Sequence, residues 1–252
     1  MEIYMMGKVW MASALILAGC AATGGKVEDL TPEMRLRRAE MWIKKGKCER
    51  AIEELQKLLT RFPGAEWAPE ARFFLGEAYY RCGDYASAAS EYEQVVEQYG
   101  LSPWAERAQF KIAMSYLRQS LPPTLDQEET KRALEAFRRF LEDHPDSPLA
   151  KEAERHVREC LDKLAEKLYR MGKVYLKLGH PEAAEIYFRD LLNEYPDSKW
   201  APWANYELGR MAMERGDLEE ARKAFGEVLA GNGDERVKRK ARKALKKLEV
   251  KG

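Results

Sequence analysis

The chain has 252 residues, of which 45% are hydrophobic and 34% are charged, and this balance predicts a folded body and argues against intrinsic disorder. Lys and Arg together number 43 against 42 Asp and Glu, which gives a formal net charge of +1. That balance argues against a dedicated nucleic-acid-binding protein, because such proteins normally carry a clear basic excess.

The N-terminal segment has the pattern of a secretory signal peptide. Lys8 precedes an apolar run over residues 9–18, which is too short to cross a hydrocarbon core of about 30 Å as a helix. The run ends in a Leu-Ala-Gly-Cys sequence over residues 17–20, which is similar to the bacterial lipobox. In lipoproteins of that type, cleavage leaves the cysteine as the lipidated first residue.

We therefore expect a lipoprotein signal peptide over residues 1–19, a lipid on Cys20 and a lipidated linker over residues 20–30. An aspartate directly after the cysteine tends to retain such lipoproteins in the inner membrane. Because Ala21 stands there, the resemblance implies the outer membrane. Several acyl chains would make this anchoring stable. The alternative is an ordinary signal peptide followed by an unrelated cysteine.

From residue 31 onwards, apolar residues recur at spacings of three and four, and Gly and Pro interrupt them at regular intervals. A small residue recurs in the first helix of each predicted unit, at Ala39, Gly76, Ala113, Gly172 and Gly209. An alanine recurs in the second helix, at Ala51, Ala88, Ala133, Ala184 and Ala221. This register matches the tetratricopeptide repeat of about 34 residues. It predicts an all-α fold, a right-handed α-solenoid of about five helical hairpins with a C-terminal capping helix.

Two departures from the register predict how the solenoid is divided. About eight extra residues, 120–127, separate the two helices of repeat three, and repeat four begins with about four additional helical turns. The second departure predicts one long helix from Pro148 to Leu178. We expect an N-terminal arm of three repeats over residues 31–147 and a C-terminal arm of two repeats over residues 148–252. A final helix from Asp234 to Glu249 would cap the stack.

The sequence carries no pattern of a catalytic or metal site. It lacks a nucleophile elbow, a glycine-rich phosphate loop and a Cys/His cluster with metal-ligand spacing. Besides Cys20 it has Cys48, Cys82 and Cys160, an odd number whose redox role stays open. We predict that the protein is not an enzyme and needs no metal or cofactor beyond the lipid.

A tetratricopeptide solenoid presents a concave face that the first helices of the hairpins line. The residues predicted to line it in repeats two and three are Phe73, Glu77, Tyr80, Arg81, Arg107, Phe110, Met114, Leu117 and Arg118. Aromatic and apolar side chains bordered by arginines would suit an extended peptide with hydrophobic side chains and a carboxylate end. The alternative is that these residues pack against a neighbouring repeat or against the long helix.

The final helix combines an apolar stripe with many lysines and arginines. The stripe is predicted at Val237, Ala241, Leu245 and Leu248. The basic residues either face solvent on a capping helix or contact an acidic partner or anionic lipid head groups.

The lipobox, the five repeats and the repeat-three insertion that ends in Asp126-Gln127 resemble the BamD family of outer-membrane β-barrel assembly lipoproteins. Pro-Asp-Ser turns at residues 145–147 and 196–198 agree with this resemblance, which extends from Cys20 to about Leu248. It implies a scaffold on the periplasmic face of the outer membrane that receives C-terminal segments of unfolded barrel proteins.

The resemblance also implies partners for the C-terminal repeats. Family members bind the POTRA region of the barrel-forming BamA-like subunit there, alongside other assembly lipoproteins. An Asn-Arg pair is common in the second helix of repeat four, but Ile186-Tyr187 stands at those positions here, with Arg189 two residues further on. The implied partner contact therefore falls on Tyr187 and Arg189. The alternative is another periplasmic repeat lipoprotein, such as a pilotin of a secretion or pilus system, which would share Cys20 and the repeats but not the insertion.

Overall fold

The computed structural model describes residues 30–231 and 233–249, and within these ranges it contains helices and no strand. The helices are α1 (Pro32–Lys44), α2 (Cys48–Arg61), α3 (Ala68–Cys82), α4 (Tyr85–Gln98), α5 (Ala105–Gln119), α6 (Glu128–Asp143), α7 (Ala150–Lys177), α8 (Pro181–Glu194), α9 (Ala201–Arg215), α10 (Leu218–Ala230) and α11 (Glu235–Glu249). Consecutive helices pair into hairpins, which confirms the predicted all-α solenoid. The expected signal peptide and Cys20 lie outside the described residues, and no described helix is long and apolar enough to cross a membrane.

The hairpins turn at the glycines that mark the repeats in the sequence. Gly83 ends α3 at φ +82°, and Gly216 ends α9 at φ +84°, a left-handed conformation that a Cβ atom would strain. The residue after each glycine begins the next helix as a capping aspartate. Asp84 accepts a hydrogen bond from the backbone of Ser87, and Asp217 accepts one from Glu220. These local signals place the two helices of a unit side by side.

The small residues of the first helices allow the second helices to approach closely. A Cβ atom built on Gly76 would lie 2.6 Å from Cε1 of Tyr92, and one built on Gly209 would lie 2.6 Å from Cε1 of Phe225. Both rings are fully buried. Close packing of a ring against a glycine backbone therefore holds the hairpin together.

The long helix is present and continuous. α7 has 28 residues, and Pro148 and Leu178 lie just outside its ends. Cys160 and Leu164, near its middle, belong to the core that α5 and α6 form, whereas Ala165 belongs to the core of α8 and α9. α7 therefore serves both repeat three and repeat four, and the proposed arms share this one helix.

The insertion in repeat three is an ordered loop built around Gln127. Its amide nitrogen lies 2.8 Å from the carbonyl oxygen of Pro122 and 2.9 Å from that of Asp126, and its amide oxygen accepts a hydrogen bond from Thr130 at 2.8 Å. Gln127 is almost completely buried. Because a buried amide satisfies several loop carbonyls at once, the loop has a defined conformation.

The cysteines are divided into a pair and a single thiol. A disulfide joins Cys48, the first residue of α2, to Cys82, the last residue of α3, with a Cα–Cα distance of 5.9 Å. It links repeat one to repeat two at the edge where the hairpins turn. Cys160 is buried in α7, and burial raises the pKa of its thiol to about 12. That thiol is therefore protonated and unreactive at neutral pH.

Candidate functional site

The predicted concave groove lies between α3 and α5, the first helices of repeats two and three. Two of its nine expected residues are misplaced, because Phe73 is 4% exposed and Phe110 is 5% exposed. Phe73 packs against Tyr92 of its own hairpin and against Trp104 of the next repeat. Phe110 packs edge-on against two aromatic rings of α6. Both phenylalanines are core residues and cannot contact a ligand in the groove.

Tyr80 is the aromatic residue that the groove does present. Its ring is half-buried, stands edge-on to Tyr85 at a centroid distance of 5.1 Å, and carries the ammonium group of Lys111 at 5.0 Å from its centroid. Nε of Arg118 donates a hydrogen bond to its hydroxyl at 3.1 Å. A ring fixed in this way on two sides has little side-chain entropy to lose when a ligand binds.

Glu77 connects the groove to the core beneath it. Its Oε1 accepts a hydrogen bond from the Tyr92 hydroxyl at 2.6 Å and forms an ion pair with Nζ of Lys111 at 2.7 Å. Burial, and after it the nearby Glu77 carboxylate, raises the pKa of Tyr92 far above its usual value. The phenol therefore remains a donor, and Glu77 joins repeat two to repeat three rather than facing a ligand with a free charge.

The three predicted arginines are exposed and border the groove. Arg118 lies at the end of α5, Arg81 lies at the end of α3, and Arg107 lies over the rings of Trp104 and Phe73 at 5.5 and 5.7 Å. In the part of the chain that the structure describes, no carboxylate forms an ion pair with any of them. These cations are therefore available to an anionic ligand.

Met114 and Leu117, the predicted apolar floor of the groove, are half-buried against the core of α5 and α6. Lys111, which the sequence did not single out, belongs to the site because it contacts both Tyr80 and Glu77. Its position in the sequence could have identified Lys111, because it lies two residues before the small residue Ala113, where the first helix faces its neighbour. Contacts in the structure join three of the nine predicted residues, Glu77, Tyr80 and Arg118, and Lys111 connects the first two of them.

A separate depression of 410 Å³ lies on the opposite side of the same repeats, between α4 and α6. Its floor includes Tyr116, whose hydroxyl contacts Glu93 and accepts a hydrogen bond from Arg132 at 2.8 Å. Burial, and then Glu93, raises the pKa of Tyr116 to about 12. No residue of the predicted concave groove lines this depression.

The predicted partner residues lie on α8. Tyr187 stacks on Tyr175 of α7 at 5.2 Å between ring centroids. Arg189 forms ion pairs with Glu185 at 2.6 Å and with Glu220 at 2.7 Å, and Arg215 contacts the same two carboxylates. Arg189 therefore already joins α8 to α10, and a partner that uses it has to replace or share these bonds.

The same hairpin exposes apolar side chains near the predicted contact. Ile186 is 61% exposed and Leu178 is 64% exposed, while Val174 is exposed one turn before Leu178. Ile186 stands at one of the positions where the resemblance implies an Asn-Arg pair. Large exposed apolar side chains in a folded chain mark surfaces that another protein can cover.

Comparisons with known proteins agree with this architecture. The family model YfiO, described as an outer membrane lipoprotein, matches residues 29–204, and a tetratricopeptide-repeat model matches residues 202–234. The outer membrane protein assembly factor BamD of Caulobacter vibrioides is 26% identical over 231 residues, which cover 89% of this chain and 75% of that protein.

Among solved structures, a tetratricopeptide-repeat protein of Thermus thermophilus is similar at 17% identity and a TM-score of 0.37, over 85% of this chain and 98% of that one. The TPR2AB domain of yeast Sti1, in complex with a pHSP90 segment, is similar at 15% identity and a TM-score of 0.43, over 79% of this chain and 76% of that one.

The family is one of non-catalytic assembly scaffolds, which confirms the expectation that the chain is not an enzyme. The resemblance to the BamD family is confirmed as well. Since the YfiO model matches residues 29–204, well over half of the sequence, the chain belongs to this family of outer membrane lipoproteins.

Proposed function

We propose that this lipoprotein is the scaffold of an outer-membrane β-barrel assembly complex on the periplasmic face of the membrane. A lipid on Cys20 anchors it. The groove between α3 and α5 receives C-terminal segments of unfolded barrel proteins, and the C-terminal repeats bind the POTRA region of the barrel-forming, BamA-like subunit through the surface around Tyr187 and Arg189. Other assembly lipoproteins join the same complex.

The observation that carries the client-binding part of this proposal is the combination of half-buried Tyr80, Met114 and Leu117 with exposed arginines that have no carboxylate partner among the described residues. C-terminal segments of barrel proteins alternate in polarity and end in an aromatic residue and a carboxylate. The tyrosine and the apolar floor suit the alternate side chains, and Arg107 or Arg118 suits the carboxylate.

The disulfide between Cys48 and Cys82 supports the periplasmic location. Disulfides form and persist in oxidising compartments, of which the bacterial periplasm is one, and are rare in the cytosol.

Purification from solubilised outer membranes tests the complex. The tagged chain is expected to recover a barrel-forming subunit with POTRA repeats. Recovery of a secretin instead of the barrel-forming subunit would contradict the proposal and would favour the pilotin alternative.

Membrane fractionation tests the anchor separately. The Cys20→Ala variant is expected to move from the membrane fraction to the soluble periplasmic fraction, whereas Cys160→Ala, which changes a buried thiol, is expected to stay with the membrane. Retention of unacylated Cys20→Ala protein in the membrane fraction would count against lipid anchoring.

A further inference from the structure

A second concave surface lies in the C-terminal arm, between α9 and the capping helix α11. Two adjoining depressions, of 630 and 410 Å³, follow these helices and share Lys240. We call their combined surface the C-terminal groove. It contains none of the residues assigned above to client or partner binding, so a role for this groove does not rest on the proposed function.

Aromatic side chains of the fifth repeat form one wall of the C-terminal groove. Trp203 and Tyr206 stand edge-on to each other on α9, and Trp200 stacks on Tyr169 of α7 at 4.9 Å between ring centroids. All four rings are half-buried, so each keeps an accessible face or edge. Met213 continues this wall towards the end of α9.

A stripe of cations on α11 forms the other wall. Arg236, Lys240, Lys243 and Lys247 follow one another at spacings of four, three and four residues, which places them on one face of the helix. The residues one position further on, Val237, Ala241, Ala244 and Leu248, form the buried stripe that packs against the fifth repeat. Because the apolar stripe fixes the rotation of α11, the adjacent cationic stripe has to face the groove.

Three lysines of this stripe have no carboxylate partner among the described residues. Nζ of Lys240 lies 5.3 Å from the ring centroid of Trp203 and 5.6 Å from that of Tyr206. Across residues 30–231 and 233–249, no carboxylate forms an ion pair with Lys240, Lys243 or Lys247.

The groove also contains two acidic side chains, one at each end, and both are already engaged. Asp234 accepts hydrogen bonds from the backbone nitrogens of Arg236 and Val237 at the start of α11, and Glu214 pairs with Arg210 at 3.2 Å. The middle of the groove is therefore cationic and open.

We propose that the C-terminal groove binds an acidic polypeptide segment that also carries aromatic or other apolar side chains. Charge complementarity identifies the occupant, since lysines without a carboxylate partner stand opposite half-buried rings. At 1.5 Å per residue, the cationic stripe from Arg236 to Lys247 is about 16 Å long. About five extended residues cover that distance. In an extended segment successive side chains point to opposite sides, so carboxylates reach α11 while apolar side chains reach α9.

Two other polyanions fit the groove less well. A membrane surface would contact the outer cations of α11, such as Arg239 and Lys246, at least as closely as the stripe, and it would leave the aromatic wall of α9 unused. The formal net charge of +1 argues against a nucleic acid strand, because nucleic-acid-binding proteins normally carry a clear basic excess.

Fluorescence anisotropy with the purified full chain in detergent tests the proposal. The probe is a labelled octapeptide that alternates glutamate and phenylalanine, and peptides that alternate lysine with phenylalanine or glutamate with serine serve as controls. The first peptide is expected to bind, to bind more weakly as salt rises, and to bind at least tenfold better than either control.

Two triple variants of the same helix separate the groove from net charge. Lys240→Gln/Lys243→Gln/Lys247→Gln is expected to weaken binding about tenfold or more, because it removes the unpaired cations of the groove. Lys238→Gln/Arg239→Gln/Lys246→Gln removes the same charge from residues that do not line the groove and is expected to change the affinity less than about twofold. Helicity by circular dichroism checks folding, and Lys240→Gln alone replaces the first triple if that variant does not fold.

Three results would overturn the proposal: no binding of the acidic aromatic peptide, equal weakening by both triples, or binding of anionic vesicles or an oligothymidylate where the peptide does not bind. None of these results tests the proposed function, which depends on whether purification from outer membranes recovers the barrel-forming subunit. The two proposals can therefore fail independently.

Discussion

At the scale of single residues, glycine and a large ring act as a matched pair in three of the five hairpins. Gly76 faces Tyr92, Gly172 faces Phe188, and in the fifth repeat Gly209 faces Phe225, each with a would-be Cβ contact of 2.5 or 2.6 Å. Both partners recur in register, since each ring follows its glycine by 16 residues in the sequence. A Cβ atom at these positions would overlap a buried ring, and the ring could move away only if a helix shifted. Packing therefore requires glycine at these three positions.

The pair in the fifth repeat yields a test with an internal control. Gly209→Ala is expected to lower the free energy of unfolding by about 1–2 kcal/mol, since overpacking outweighs the gain in helix propensity. Gly226→Ala, in the exposed face of α10 where nothing lies within 4 Å, is expected to raise it by about 0.5–1 kcal/mol. Urea unfolding of both variants measures the difference. A stabilised Gly209→Ala variant would show that the helices can separate freely.

Tyr80 and Phe110 separate binding from stability. Tyr80→Ala is expected to weaken binding of a barrel-protein C-terminal peptide about tenfold, equivalent to about 1.4 kcal/mol, with little change in unfolding. Phe110→Ala is expected to lower the free energy of unfolding by about 3–5 kcal/mol, because this side chain is buried.

Calorimetry measures the affinity for the peptide, and urea titration measures the free energy of unfolding. Tyr80→Phe, which keeps the ring and loses the hydrogen bond from Arg118, is expected to bind like the wild type or slightly less well. If Tyr80→Ala binds the peptide normally while its helicity is intact, the groove between α3 and α5 is not the peptide site.

At the scale of helices, the misplacement of Phe73 and Phe110 has a geometric cause. The first helix of a repeat packs against its own second helix on one side and against the second helix of the preceding repeat on another, so only a narrow face remains for the groove. Sequence periodicity identifies apolar positions but does not divide them between these faces. Tyr80, Arg107 and Arg118 carry polar groups that are costly to bury between helices. Their side chains therefore lie outside the two helix–helix contacts, on the groove face.

The cysteine pairing also became visible only in three dimensions. Cys48 follows Gly46 by two residues and Cys82 precedes Gly83, so both lie beside turn glycines at the same edge of neighbouring repeats. The odd number of cysteines hid this pairing, since nothing in the sequence shows that Cys160 is enclosed by the core of α5, α6 and α7.

The disulfide is expected to stabilise the N-terminal repeats. It closes a loop with a sequence separation of 34, for which chain entropy gives about 3–4 kcal/mol. Reduction should therefore lower the melting temperature of the wild type and leave that of Cys48→Ser/Cys82→Ser unchanged. An equal response of both proteins to the reductant would assign the effect to something other than this bridge.

At the scale of the whole molecule, the helices form one stack in which each unit contacts its neighbours. α7 carries the core of repeat three into repeat four, and α11 closes the last hairpin with Val237, Ala241 and Leu248. The sequence predicts both elements, since an insertion of whole helical turns lengthens a helix and a final amphipathic helix buries its stripe. In such a stack stability is close to a sum of local terms.

Loosening the cap is therefore expected to have a local effect. Leu248→Ala removes a fully buried side chain and should lower the local stability by about 2 kcal/mol or more. Hydrogen exchange is expected to speed up in α9, α10 and α11 and to stay unchanged in α1 to α4 at the far end, where the disulfide joins α2 to α3. Lys246→Ala, on the exposed face of α11, is the matched control and should change neither region. A uniform rise in exchange from α1 to α11 would mean that the stack unfolds as a single cooperative unit. In that case, ligand binding to a groove at one end could change exchange at the other end through global stability alone.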